Sequence, residues 1–291
     1  MPEGIAEGIG ASVRRKEDKK FTTGKGRYTD DINRPGQLHA FFIRSDVAHA
    51  KIKNIDITKA LKSDGVAAIY TGADIAADGV GGPICGWTPT NRDGSAPKEP
   101  PHPLLANGKV RYVGDHIAVV IAESMEQAKS AAENVKIDLE TLAPVVDLST
   151  AIGNTQIHDE MDDNVYFDWE LGDEKATADA LGSATKVIEL TVTNNRVIPN
   201  AMEPRAAVAE YDETSESYTL YTSSQNPHLT RLVMAAFMMQ IPESKLHVVA
   251  PDVGGGFGSK IYIYPEEAVC TWATKKLRRP IKWTADRNEA F

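Results

Sequence analysis

Short runs in which apolar and polar residues alternate recur along the 291-residue chain, each bounded by Gly, Pro, Asp or Ser. That period of two is the signature of strands with one buried face, and it predicts strands over 37–44, 66–71, 117–122, 135–139, 187–193, 206–211, 218–223, 245–250 and 278–284. A helical spacing interrupts them at 58–63, at 266–276, and over 229–239, where Pro227 can occupy the first turn. Ser124 followed three residues later by Gln127 predicts a capped helix running through Glu133. The order of these elements gives a βαβ-like rhythm before residue 150. The pair of strands around the polar turn 212–216 predicts an antiparallel hairpin. Between Ala73 and His102 the sequence is rich in Gly, Pro, Thr and Asp and predicts a long irregular excursion.

One segment departs from this alternation. In Pro251-Asp252-Val253-Gly254-Gly255-Gly256-Phe257-Gly258-Ser259-Lys260, three consecutive glycines follow a β-branched run. Consecutive glycines carry a conformational-entropy cost that no side-chain packing offsets, so they occur where φ > 0 is needed or where another group approaches the main chain closely. Two nucleotide templates are excluded. The P-loop spacing to a Gly-Lys-Ser/Thr is absent, and a Gly-x-Gly-x-x-Gly pattern starting at Gly254 would need Gly where Ser259 stands. A ligand cradle and a tight structural turn remain the two readings of this loop.

Composition narrows the function classes. Apolar residues make up 42% of the chain, enough for a sizeable core, and the length predicts two domains. The net charge of −9 has the wrong sign for nucleic acid or an anionic membrane surface. Only Cys85 and Cys270 occur, far apart and in no ligand spacing, so no disulfide framework, iron–sulfur site or zinc site is encoded. A reducing, cytoplasmic setting is expected. The stretch Met1–Glu7 lacks a leader pattern, and no window is long and apolar enough for a membrane span. The polar, unpatterned stretch from Gly153 to Asn164 predicts a boundary between domains 1–155 and 164–291. The abrupt end at Asn288-Glu289-Ala290-Phe291 predicts an interrupted second domain.

Candidate chemistry is sparse. Gln225 sits where a strand gives way to a helix, and its carboxamide can both donate and accept there, as a ligand-facing group or as a cap. Glu203, between Met202 and Pro204, reads as a buried acid partnered by Arg205, an arrangement that is usually structural. His228 reads as a helix-start or core histidine, and Met234, Met238 and Met239 as core. From residues alone the chain is an α/β (α+β) protein of two domains with a glycine-lined loop near a Gln corner.

Several ordered motifs carry a resemblance. They are Gly24-Lys25-Gly26-Arg27-Tyr28-Thr29-Asp30-Asp31-Ile32, Arg44-Ser45-Asp46-Val47-Ala48-His49-Ala50, Val110-Arg111-Tyr112-Val113-Gly114-Asp115, Met202-Glu203-Pro204-Arg205, Thr222-Ser223-Ser224-Gln225-Asn226-Pro227-His228, and the glycine loop through Lys260. With these the whole chain resembles the molybdenum-binding large subunit of the xanthine oxidase family, most like aerobic carbon-monoxide dehydrogenase large chains and their relatives. The resemblance implies a hammerhead-type α/β domain followed by the first part of a molybdopterin-binding α/β domain. It implies that Gln225 faces an oxo ligand of molybdenum. The backbone of Gly255, Gly256, Phe257 and Gly258 would lie against the metal's ligands and a molybdopterin cytosine dinucleotide, so that Gln225 and Phe257 stand near the metal without ligating it.

The implied reaction is oxidative hydroxylation of carbon monoxide, an aldehyde or an N-heterocycle, with water as oxygen source. Electrons would leave through 2Fe–2S clusters on an iron–sulfur small subunit and FAD on a medium subunit. The remaining half of the large subunit is a further implied partner. Copper is implied only for a true carbon-monoxide dehydrogenase, and neither Cys85 nor Cys270 falls in the family's copper-ligand motif. Purine-hydroxylating members carry Glu directly after the Gly-x-Lys of this loop, where Ile261 stands here, so a purine substrate is not expected. The family's general-base Glu belongs to a part of the subunit outside these residues, and Glu203 does not match it by position. The alternative reading is a scaffold or assembly module of the same fold without stable cofactor.

Overall fold

The structure is a computed structural model that describes residues 8–161 and 163–290. The stretch Met1–Glu7 and the final Phe291 lie outside the described residues. Ten strands occur among the described residues: β1 (Leu38–Arg44), β2 (Ala50–Asp56), β3 (Val66–Thr71), β4 (Lys109–Val110), β5 (His116–Ala122), β6 (Lys136–Thr141), β7 (Ala206–Asp212), β8 (Ser217–Thr222), β9 (Leu246–Val249) and β10 (Ile281–Thr284). The helices are α1 (Asp18–Thr22), α2 (Gly72–Ala77), α3 (Met125–Ala132), α4 (Glu174–Ser183), α5 (Pro227–Val233) and α6 (Pro265–Leu277).

Seven strands form one sheet in the order β3-β5-β1-β10-β7-β8-β9, and β4-β2-β6 form a second. The larger sheet crosses the expected boundary. β10, from the end of the chain, pairs in parallel with β1 through Leu38 and Ile281, and antiparallel with β7 through Ile281 and Ala209. Both halves of the sequence therefore share one hydrogen-bonded layer.

Alternation explains how this sheet buries both faces. On β5, Val119 and Ile121 join the large core with Leu38, Ala40, Phe42, Leu220 and Trp283. Their neighbours Val120 and Ala122 join the opposite cluster with Ile69, Ala128 and Ala131. Successive side chains of a strand point to opposite faces, so a continuous apolar run is what a doubly covered strand requires. Helix α3 covers one face, against β1 and β5, while α6 packs on β7 and β10 on the other. The N-cap of α3 is the expected one: the Ser124 side chain accepts from the backbone N–H of Gln127 at 3.2 Å.

Several expectations are corrected. The βαβ rhythm does not produce parallel crossovers, because β5 pairs antiparallel with both β1 and β3, and β6 belongs to the other sheet. Residues 187–193 form no strand. They are exposed and take no regular secondary structure, since a two-period pattern makes a strand only when a partner edge is within reach. The irregular stretch after Ala73 begins with α2, capped by Thr71 and Asp74 in a reciprocal box. β2 and the exposed helix α4 were not anticipated. The helix expected over 229–239 divides into α5 and a wider turn of π type at Met234–Met239, which ends at Gln240 with φ 53°. The hairpin of β7 and β8 and the core placement of Met234 and Met238 agree with the sequence reading, with Met239 packed at the core's margin.

Candidate functional site

β8 ends at Thr222, and Ser223-Ser224-Gln225 carry the chain to α5, whose N-cap Asn226 accepts from the N–H of Leu229 at 3.4 Å. β9 leads into the glycine loop. These two strands are parallel neighbours, so their C-terminal ends deliver Gln225 and the loop to the same edge. Ligands in α/β sheets commonly bind beyond such strand ends. The backbone N–H of Gln225 donates to Lys260 O at 2.8 Å, and its Oε1 accepts from the N–H of Gly258 at 3.0 Å. That assignment leaves the amide Nε2 of the exposed Gln225 side chain as a donor without a partner among the described residues.

Each glycine of the triplet has a distinct reason. A Cβ on Gly254 would stand 2.5 Å from Glu203 Cβ. Gly255 adopts φ 97°, in the left-handed region that favours glycine. A Cβ on Gly256 would lie 2.4 Å from both Cδ and Oε1 of Gln225. The close approach inferred from the sequence is thus made first by the chain's own Gln225. Phe257 follows with φ 51° and an exposed ring, and Gly258 with φ 89°. The N–H groups of Gly255, Gly256 and Phe257 donate to nothing among the described residues. Successive uncommitted N–H donors in a turn of mixed hand form a concavity suited to an anionic or oxo group.

Below the loop lies a buried hub. Glu203 Oε2 accepts from Gly254 N at 2.7 Å, Ser223 Oγ at 2.6 Å and Lys260 Nζ at 2.9 Å. Lys260 Nζ also donates to Glu203 O at 2.9 Å. Burial pulls the Lys260 ammonium below the usual lysine value, and the Glu203 carboxylate offsets part of that pull. Glu203 Oε1 is buried and has no hydrogen-bond partner among the described residues. The expected Glu203–Arg205 pairing is corrected: the guanidinium of Arg205 instead stacks 3.5 Å from the Tyr264 ring centroid and donates to Glu289 O at 3.2 Å. Lys260 reaches Glu203 because the glycine loop returns beside it. Lys260 carried no functional signal beyond its place at the end of the loop. His228 is exposed in the first turn of α5 and takes no part.

Next to the hub, α6 opens on two fully buried carboxyls. Glu266 Oε1 accepts from Arg44 Nη2 at 2.7 Å. Burial pushes the Glu267 carboxyl up to about 7, although hydrogen bonds from Thr222 and from Tyr264 N oppose that rise. The Thr222 hydroxyl contacts both Ala206 O and Glu267 Oε1. Sequence inspection missed this pair, because adjacent glutamates at a helix start usually read as solvated first-turn acids.

The donor set defines what the corner can hold. No group of three or more His, Cys, Asp or Glu side chains is arranged to cage a metal among the described residues. What the corner offers is a carboxamide N–H and a backbone concavity, and these fit the oxo and anionic groups of a metal-bearing cofactor better than a bare cation.

Comparison with known proteins accounts for both parts of the chain. Residues 23–143 match the aldehyde oxidase and xanthine dehydrogenase a/b hammerhead domain, and residues 157–291 match the molybdopterin cofactor-binding domain. The chain is 37% identical to the nicotine 6-hydroxylase large subunit of Paenarthrobacter nicotinovorans, covering 97% of this chain and 34% of that protein. It is 36% identical to the carbon monoxide dehydrogenase large chain of Afipia carboxidovorans, covering 97% and 35% respectively. Among solved structures, quinoline 2-oxidoreductase from Pseudomonas putida 86 superposes with a TM-score of 0.85 at 36% identity, over 97% of this chain and 35% of that one. The chain thus spans about a third of the length of these relatives. The two matching domains and the likeness along nearly its whole length assign this chain to the xanthine oxidase family, as the counterpart of about a third of its molybdenum hydroxylase large subunits.

Proposed function

We propose that the chain supplies the Gln225 corner and the glycine-loop backbone to the cofactor site of a molybdenum hydroxylase, which is completed by the remaining part of the large subunit. The observation that carries this reading is the pairing of Gln225 Oε1 with the N–H of Gly258, which leaves the amide Nε2 and three N–H groups of the adjoining loop uncommitted among the described residues. Gln225 would orient the cofactor's oxo group by donating from Nε2. The loop N–H groups would hold neighbouring anionic atoms, and Phe257, 73% exposed, would cover the group from solvent. When bound, a molybdenum–pterin group supplies a two-electron oxidation with water as the oxygen source. The cytosine dinucleotide is the proposed form of that group.

The substrate would be carbon monoxide, an aldehyde or an N-heterocycle. Ile261, directly after the loop lysine, offers no polar group for a purine edge. Proposed partners are an FAD-binding medium subunit and an iron–sulfur small subunit. No helix among the described residues is long and apolar enough to cross a membrane, and a cytoplasmic assembly is proposed.

The deciding experiment measures molybdenum and copper by elemental analysis after expression in a host that makes the cytosine-dinucleotide cofactor. The chain is purified alone and together with a polypeptide matching the rest of the relatives' large subunit. Stoichiometric molybdenum in the pair supports the reading, and accompanying copper would indicate carbon monoxide as substrate. Absence of metal from a well-formed pair would refute it in favour of a scaffold.

A further inference from the structure

Residues 187–193 have the composition of a strand and the surroundings of none. In Val187-Ile188-Glu189-Leu190-Thr191-Val192-Thr193, Ile188, Leu190 and Val192 would share one face and Glu189, Thr191 and Thr193 the other. That is the pattern of a strand with one buried side. Yet Ile188, Leu190 and Val192 are 80%, 83% and 75% exposed. No backbone N–H or C=O of the segment is hydrogen-bonded among the described residues, and neither sheet takes it up. Unpaired backbone whose apolar residues alternate as in a strand can serve as a template for another strand.

The segment lies inside the region that matches the molybdopterin cofactor-binding domain. About two thirds of the relatives' length has no counterpart in this chain. We infer that residues 187–193 are a docking strand, which pairs edge to edge with a strand of the polypeptide carrying the rest of the large subunit and buries Ile188, Leu190 and Val192 against its apolar side chains. This rests on the proposed split of the cofactor site between two parts. A strand added in this way takes affinity from main-chain hydrogen bonds and specificity from alternate side chains. The fitting partner therefore offers a free strand edge and β-branched or aliphatic residues at every second position.

The test is hydrogen–deuterium exchange of the chain alone and mixed with a polypeptide matching the remaining two thirds of the large subunit, with affinity measured for Leu190→Lys and Thr191→Lys. Both positions are exposed, so the chain alone should fold as before in either variant. The expected result is amides 187–193 exchanging freely in the isolated chain and roughly a hundredfold slower in the complex. Leu190→Lys should weaken association by about tenfold or more, and Thr191→Lys by clearly less, because only the first puts a charge on the buried face. A complex in which these amides still exchange freely would overturn the docking strand and leave the split site standing. No complex at all would overturn both. Protection that rises with the concentration of the isolated chain would assign the strand to a second copy and reject the proposed partner.

Discussion

A methyl group on Gly256 would fall 2.4 Å from the carboxamide carbon of Gln225, well inside any contact that two carbon atoms tolerate. The glycine at 256 is therefore a condition for the placement of Gln225, and the two positions act as one unit although strand, helix and loop separate them in the chain.

Substitution at either position should separate positioning from folding. Gln225→Ala in a reconstituted enzyme is expected to lower turnover while molybdenum content stays largely unchanged. Gly256→Val should reduce both, because it displaces Gln225 and fills the corner. Combining Gly256→Ala with Gln225→Ala should cost less stability than the sum of the two, by roughly 0.5–3 kcal/mol of coupling in denaturant titrations. Additive costs would show that Gly256 is constrained by something other than Gln225.

Lys260→Met should destabilise the chain by about 3–5 kcal/mol, since it leaves Glu203 buried without its cation. The side chains of Lys260 and Glu203 are 2% and 11% exposed, so solvent screens the pair little. The combined Glu203→Gln, Lys260→Met variant should recover part of that loss in a chemical denaturation series. Its amide at Gly254 should also exchange faster, because a neutral carboxamide oxygen accepts that hydrogen bond more weakly than the Glu203 carboxylate.

Glu267 predicts a pH dependence of known sign. Its folded value is raised to about 7 from an ordinary 4.5, so between those limits the native state holds a proton that the unfolded chain has lost. Stability from this group is fully present below about 4.5 and is lost as pH rises through about 7. Glu267→Gln, which keeps a donor and an acceptor, should flatten that decline in denaturation midpoints measured from pH 5 to 8. An unchanged slope would mean that Glu267 is ionised in the native state.

β10 should couple the unfolding of the two halves. Trp283 is buried on β10, with its ring edge-on to Phe42 of β1 at a centroid distance of 6.1 Å. Trp283→Ala should cost about 3–5 kcal/mol and shift a single unfolding transition. Two separate transitions in the wild-type chain would show that the shared sheet does not join the halves energetically.

Strands with one buried face, such as β1 and β8, were legible in the residues because a period of two has one meaning wherever a partner strand lies nearby. The cap of α3 was equally legible, since Ser124 and Gln127 interact within one turn. The glycine run and Gln225 could be singled out because their chemistry is unusual at any position. Three things depended on long-range closure. β10 joins β1 across almost the whole chain, and no local pattern encodes which edges meet. Lys260 displaced Arg205 as the partner of Glu203 because the loop returns beneath it, and that path depends on the positive φ values at Gly255, Phe257 and Gly258. The alternation at 187–193 was read correctly as a pattern and incorrectly as a formed strand. Amino-acid order specifies which face of a segment is apolar, whereas pairing requires a second edge, and none among the described residues is positioned to meet this one.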